Sequence, residues 1–172
     1  MPLPSGKTAT GGKGTGAAMA DHQEASLTLP SAPESVPTAR RYVTEVLNEW
    51  DEAGGAERAG LLDAVLLIVS ELTTNAVVHT LGRSPAFTVV LHLDRHESLH
   101  IGVTDSHPRM PRRLPAAVQQ DNGRGLVIIR TLVAESGGKI TVEPSDVGGK
   151  TVWVALPWPT PAPRAAPREA KA

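Results

Sequence analysis

Glu71 and Asn75 stand four residues apart in a segment whose apolar residues, Leu61, Val65, Ile68 and Leu72, recur at helical spacing. That spacing puts a carboxylate and a carboxamide on one face, one above the other, beside the stripe that Ile68 and Leu72 use for burial. Such groups at a core edge are costly without partners, and a metal–phosphate site supplies them. Asn75 offers Mg²⁺ a neutral oxygen of the hard type that ion prefers. Glu71, one turn earlier, is suited to orient or deprotonate a nucleophile beside a terminal phosphate. The competing reading leaves both residues on the solvent face, where an isolated E-x-x-x-N pair usually lies. His79 falls on the same face a further turn along, and alone it reads as a helix-end or surface residue.

Two distant segments bear on that choice. Asp105 ends the strand-like run Ile101-Gly102-Val103-Thr104-Asp105, where the chain leaves the sheet and a carboxylate can accept a hydrogen bond from an exocyclic amine such as adenine's. An ordinary turn-initiating Asp is the alternative there. In Asp121-Asn122-Gly123-Arg124-Gly125-Leu126, glycines open an apolar helix. Uncovered N–H groups at a helix start bind phosphate, and Arg124 adds charge; a glycine turn with a cap is the plainer account. Gly6-Lys7-Thr8 and Gly149-Lys150-Thr151 each mimic the end of a phosphate-binding P-loop. The first has no preceding strand, and the second runs into a strand instead of a helix. Neither is a P-loop.

The elements that must position these residues follow from periodicity. Leu27 and Leu29 alternate as in a strand that Pro30 stops, and Val36, Ala39, Val43, Val46, Leu47 and Trp50 fall at helical spacing. A second helix is expected from about Glu57 to Val78. Strands follow over Ala86 to Leu93 and His100 to Thr104, then a helix from about Gly125 to Ala134 that ends at Gly137-Gly138. Lys139 to Val142 and Thr151 to Leu156 read as a final hairpin. The fold class expected is α+β, a two-layer sandwich with a mixed, mostly antiparallel sheet covered by about three helices.

Bulk composition bounds the function. The 172 residues suit one domain, with 40% hydrophobic and 20% charged residues. Residues 1–24, rich in Gly, Ala, Thr and Ser, read as a disordered tail; residues 25–156 form the domain; residues 157–172, with a Pro at every second position from 157 to 163, read as an extended tail. A formal net charge of −1 gives no global reason to expect nucleic acid or an anionic membrane as partner. There is no cysteine, so disulfides and thiolate chemistry are excluded. The N-terminus lacks the apolar core of a secretory signal, and a cytoplasmic location is expected.

In their order, these pieces resemble the GHKL (Bergerat-fold) ATPases, and most closely the anti-sigma-factor serine kinases and their actinobacterial relatives. The N-box is similar to Glu71-Leu72-Thr73-Thr74-Asn75-Ala76-Val77-Val78-His79. The first glycine box resembles Val103-Thr104-Asp105 with Pro108 and Pro111, the second Gly123-Arg124-Gly125-Leu126, and the final strand Gly149-Lys150-Thr151-Val152-Trp153. The resemblance implies ATP held between helices and sheet, with Asp105 on adenine, Mg²⁺ bound through Asn75, and Glu71 as general base. It implies Gly123 and Gly125 beside the phosphates, Leu126 and His79 at the site, a Thr151 hydroxyl lining the pocket, and residues 106–122 as a lid. Arg109, Arg112, Arg113 and Arg124 would offset polyphosphate charge. One departure stands out: the D-x-G-x-G pattern of the broader superfamily becomes Asp105-Ser106-His107-Pro108-Arg109, without either glycine.

The function expected is transfer of the ATP γ-phosphate to a hydroxyl of a small antagonist protein by a regulator that sequesters a sigma factor. A homodimer is expected from the same resemblance. The alternative is a non-catalytic module whose partner binding is switched by nucleotide.

Overall fold

The computed structural model describes residues 22–50, 56–80, 84–94, 97–105, 125–146 and 148–158. Five strands and three helices occupy them in the order β1 (His22–Pro30), α1 (Ser35–Trp50), α2 (Ala56–Thr80), β2 (Ala86–Asp94), β3 (Ser98–Asp105), α3 (Gly125–Glu135), β4 (Lys139–Pro144) and β5 (Lys150–Pro157). The strands form one sheet, β1-β2-β3-β5-β4. Its four pairings are all antiparallel, so the expected mixed sheet is corrected to an antiparallel one. The two-layer α+β sandwich is as expected.

Side-chain alternation explains why helices cover one face of this sheet. Paired residues in an antiparallel ladder share a face. Leu27, Val89, Val103, Val152 and Val142 form one cross-sheet row, and Ala25, Leu91, Ile101, Val154 and Ile140 the next. These rows, apart from Leu27 and Val142 at the two ends of the first, merge with Val43, Val65, Ile68, Val69, Leu72, Ile129 and Val133 from the helices into one core. Removing Val, Leu and Ile side chains from water contributes roughly 1.5–3 kcal/mol each, enough to hold the layers without aromatic bulk. Helix α1 lies against β1, α2 against β2 and β3, and α3 against β4 and β5, with α2 in the middle.

Several ends have clear local causes. Pro37 sits in the first turn of α1, where no intrahelical N–H is needed. Helix α3 ends in a Schellman arrangement: Gly138 N–H donates to Val133 O at 2.8 Å and Gly137 N–H to Ala134 O at 3.0 Å, with Gly137 at φ 70°. By length and composition α2 could cross a bilayer, with a mean hydropathy of 1.7 over Arg58–Val78. A central helix packed on a sheet and on two neighbours needs the same apolarity.

Both domain edges move outward. Strand β1 begins at His22, inside the expected N-terminal tail. Trp158, assigned from sequence to the C-terminal tail, is 7% exposed and belongs to the core. Its N–H donates to Glu97 O at 3.1 Å and the Arg58 guanidinium lies 5.0 Å from its ring centre. An isolated Trp in a Pro-rich run gives no periodicity to read, whereas the finished sheet offers it a place against α2.

Candidate nucleotide site

The Arg58–Trp158 contact fixes the direction of α2. Trp158 directly follows the Pro157 end of β5, which pairs with Ser98 at the start of β3. Helix α2 therefore begins over that end of the sheet. From Arg58 to Asn75 it advances about 25 Å at 1.5 Å per residue. Strand β3 covers about 23 Å from Ser98 to Asp105. The last turns of α2, which carry Glu71 and Asn75, thus run toward the Asp105 end of β3.

Which side of α2 they use follows from its rotation of about 100° per residue. Val65, Ile68, Val69, Leu72, Thr73 and Ala76 are buried and define the core-facing side. Ser70 marks the α1 flank, because its hydroxyl accepts a 2.8 Å hydrogen bond from Arg40 Nη1. Glu71 and Asn75 fall on the opposite flank, toward α3, and both are half-buried. The solvent-face reading of this pair is therefore the weaker one. Thr73, between them in sequence, is fully buried and closes its own hydrogen bond to Val69 O at 2.7 Å. Its hydroxyl is spent on the helix.

Asp105 is 5% exposed at the end of β3, on the sheet face that the helices cover. A turn-initiating Asp would be solvated, so burial argues for the site reading. Its cross-strand neighbour on β5 is Lys150, and Lys150 Nζ donates to Asp105 Oδ2 at 2.9 Å. The two side chains are 7% and 21% exposed. Residues Lys150 and Asp105 pair in register, so both rise from the same face.

Thr151 lies elsewhere. It pairs with Thr104, and the two hydroxyls are 2.7 Å apart on the face turned away from the helices, in the row that contains Thr28 and Thr88. The expected pocket-lining hydroxyl is thus corrected: strand alternation directs Thr151 out and Lys150 in. In the sequence Lys150 stands inside a false P-loop, which hides it. The signal that finds it is the pairing of two strand ends carrying opposite charges.

Gly125 opens α3, and the first exposed apolar residues of that helix are Val127 and Ile128. Gly123, Arg124, Arg109 and the expected lid, residues 106–122, lie outside the described residues, as do the side chains of His79 and Leu126. A hollow of about 240 Å³ lined by Leu47, Asn48, Arg58, Leu61, Leu62 and Trp158 sits at the far end of the sheet. Among the described residues that line it there is no carboxylate, and it is not the candidate site.

The donor set fits a magnesium-bound adenine nucleotide. An amide oxygen on the helix flank is a hard donor suited to Mg²⁺ and its waters, the carboxylate one turn earlier can take a proton beside them, and a buried carboxylate at the end of β3 can accept from an amine. The fold and these residues define a nucleotide-binding α+β domain. The family described as histidine kinase-like ATPase domain matches residues 29–156. The chain belongs to this ATP-binding family.

Solved structures give more distant likenesses. The histidine kinase domain of the Erythrobacter litoralis EL346 blue-light activated histidine kinase is 26% identical, with a TM-score of 0.44, over 55% of this chain and 43% of that one. The EL346 kinase itself is 24% identical with the same score of 0.44, over 56% of this chain and 31% of its own. The catalytic domain of the histidine kinase ThkA, nucleotide-free, is 17% identical with a TM-score of 0.48, over 77% of this chain and 97% of that one. This chain therefore spans less than half the length of the blue-light kinase structures it matches. A comparison with curated proteins gives no match.

Proposed function

We propose that the chain is an ATP-dependent protein serine/threonine kinase of the anti-sigma-factor type, which phosphorylates a small antagonist protein and holds a sigma factor in its absence. What supports this reading is that Glu71 and Asn75 are half-buried one helical turn apart on α2 while Asp105 is buried at the end of β3. A scaffold with no chemistry to perform has little use for a half-buried carboxylate there.

Bound Mg-ATP supplies the phosphoryl group to be transferred and the ADP that leaves. Asn75 would offer Mg²⁺ a neutral oxygen, and the ion would supply charge neutralisation to the phosphates. Glu71 would accept the proton of the attacking Ser or Thr hydroxyl, whose oxygen takes the γ-phosphoryl group as ADP leaves. Asp105 would accept from the adenine amine once Lys150 releases it, and the contacts that position the phosphates would contribute most of the rate in phosphoryl transfer. The family resemblance also supports a homodimer acting in the cytoplasm.

The test is transfer of labelled γ-phosphate from ATP to the cognate antagonist by the natural protein and by Glu71→Ala. Loss of transfer in the variant, at unchanged ATP affinity, is expected. A natural protein that binds ATP but labels no antagonist refutes the kinase reading. The second reading, a nucleotide-switched module without catalysis, is favoured by one observation: the Asp105 carboxylate is held by Lys150. Under it, partner affinity changes with nucleotide while no phosphate moves.

A further inference from the structure

Asp105 and Lys150 come together through register alone. Residues 105 and 150 face one another across β3 and β5, and the ammonium reaches Asp105 Oδ2 at 2.9 Å. The carboxylate is 7% exposed and the ammonium-bearing side chain 21%, so the lysine is the outer member of the pair. An ammonium is a charged N–H donor of the same hydrogen-bonding sense as an exocyclic amine, and with it the carboxylate gains an ion pair as well as a hydrogen bond.

We infer that Lys150 is a built-in occupant of the base-recognition carboxylate, standing where the amino group of the nucleobase would donate and thereby setting both affinity and base selectivity. This rests on the nucleotide reading above and deepens it. While Lys150 holds Asp105, a purine amine gains little from the carboxylate, because it must share or displace a stronger donor. The four-carbon stem gives the displaced ammonium a route to water, so exchange is open but opposed. The triphosphate and metal then carry most of the binding, and the 6-amino group carries little. Lys150 is a specificity-determining residue acting through Asp105, not a catalytic one.

The experiment is calorimetric titration of the full chain with two magnesium nucleotides, ATP and purine riboside triphosphate, which lacks only the 6-amino group. In the natural protein the two are expected to bind within about threefold of each other, a difference of about 0.7 kcal/mol. Lys150→Met is expected to tighten ATP by about tenfold, or about 1.4 kcal/mol, and leave the deaminated analogue nearly unchanged. Lys150→Arg restores a charged donor and with it the natural ratio. A merely structural lysine would alter both nucleotides together. An ATP preference of tenfold or more in the natural protein already overturns the inference, without any variant. So does an unchanged ATP-to-analogue ratio in folded Lys150→Met. Absence of binding for both nucleotides in every protein overturns the nucleotide reading itself, and the inference with it.

Discussion

Replacing Asp105 by Asn measures how far the site depends on its ion pair. The carboxamide keeps the shape of the side chain and removes the charge that faces Lys150 Nζ at 2.9 Å. Two limits frame the cost. An exposed pair contributes about 0–1 kcal/mol. A deeply buried pair broken on one side costs about 3–5 kcal/mol, because a charge is left unpaired. Here the residue losing its charge is 7% exposed, yet the lysine left behind is 21% exposed and can turn toward water. The amide oxygen also still accepts from the ammonium. These considerations place the loss near 2 kcal/mol, between the two limits. At roughly 4 °C per kcal/mol for a folded unit of this size, the melting temperature falls by about 8 °C. Urea unfolding should show a lower midpoint at unchanged slope, in 0.05 M and in 0.5 M salt alike, because a half-enclosed pair is poorly screened. A loss below about 0.5 kcal/mol, or one that vanishes in high salt, shows that the pair behaves as surface charge and that Asp105 is solvated.

Three other expectations need only stability measurements. Trp158→Ala removes a core side chain that is 7% exposed, together with the Arg58 contact, and should cost about 3 kcal/mol by urea unfolding; a loss under 1 kcal/mol would return Trp158 to a solvated tail. Gly102→Ala places a Cβ 2.5 Å from Trp153 Cζ3 and drives the ring off the outer sheet face, where it tilts against His92 at 5.3 Å; the cost should be about 1–3 kcal/mol, with a change in near-ultraviolet circular dichroism, and a silent substitution refutes the packing. Thr73→Val keeps the shape of a fully buried side chain and removes only a hydroxyl bonded to its own helix, so stability should change by less than about 1 kcal/mol; a larger loss assigns Thr73 a further partner.

Much of the architecture was legible without coordinates because each element carries its own period. The 3.6-residue stripe of Leu61, Val65, Ile68 and Leu72 appears as the core side of α2, and the alternation of β2 and β3 as buried and half-buried positions. The Glu71–Asn75 pair was legible for the same reason, since four residues along a helix always return to one face. The edges were not. His22 and Gln23 join β1 through pairing with Asp94 and Leu93, partners about seventy residues away that no local pattern reveals.

Local spacing alone determined that helix and strand mix, that the chemistry-bearing residues fall on one helix face, at one strand end and at one glycine turn, and in what order. Long-range register decided the rest. Whether Lys150 or Thr151 stands beside Asp105 is a shift of a single residue, and in a strand that shift exchanges the two faces of the sheet. Only the pairing of β3 with β5 makes the choice, and it sets a lysine against the carboxylate.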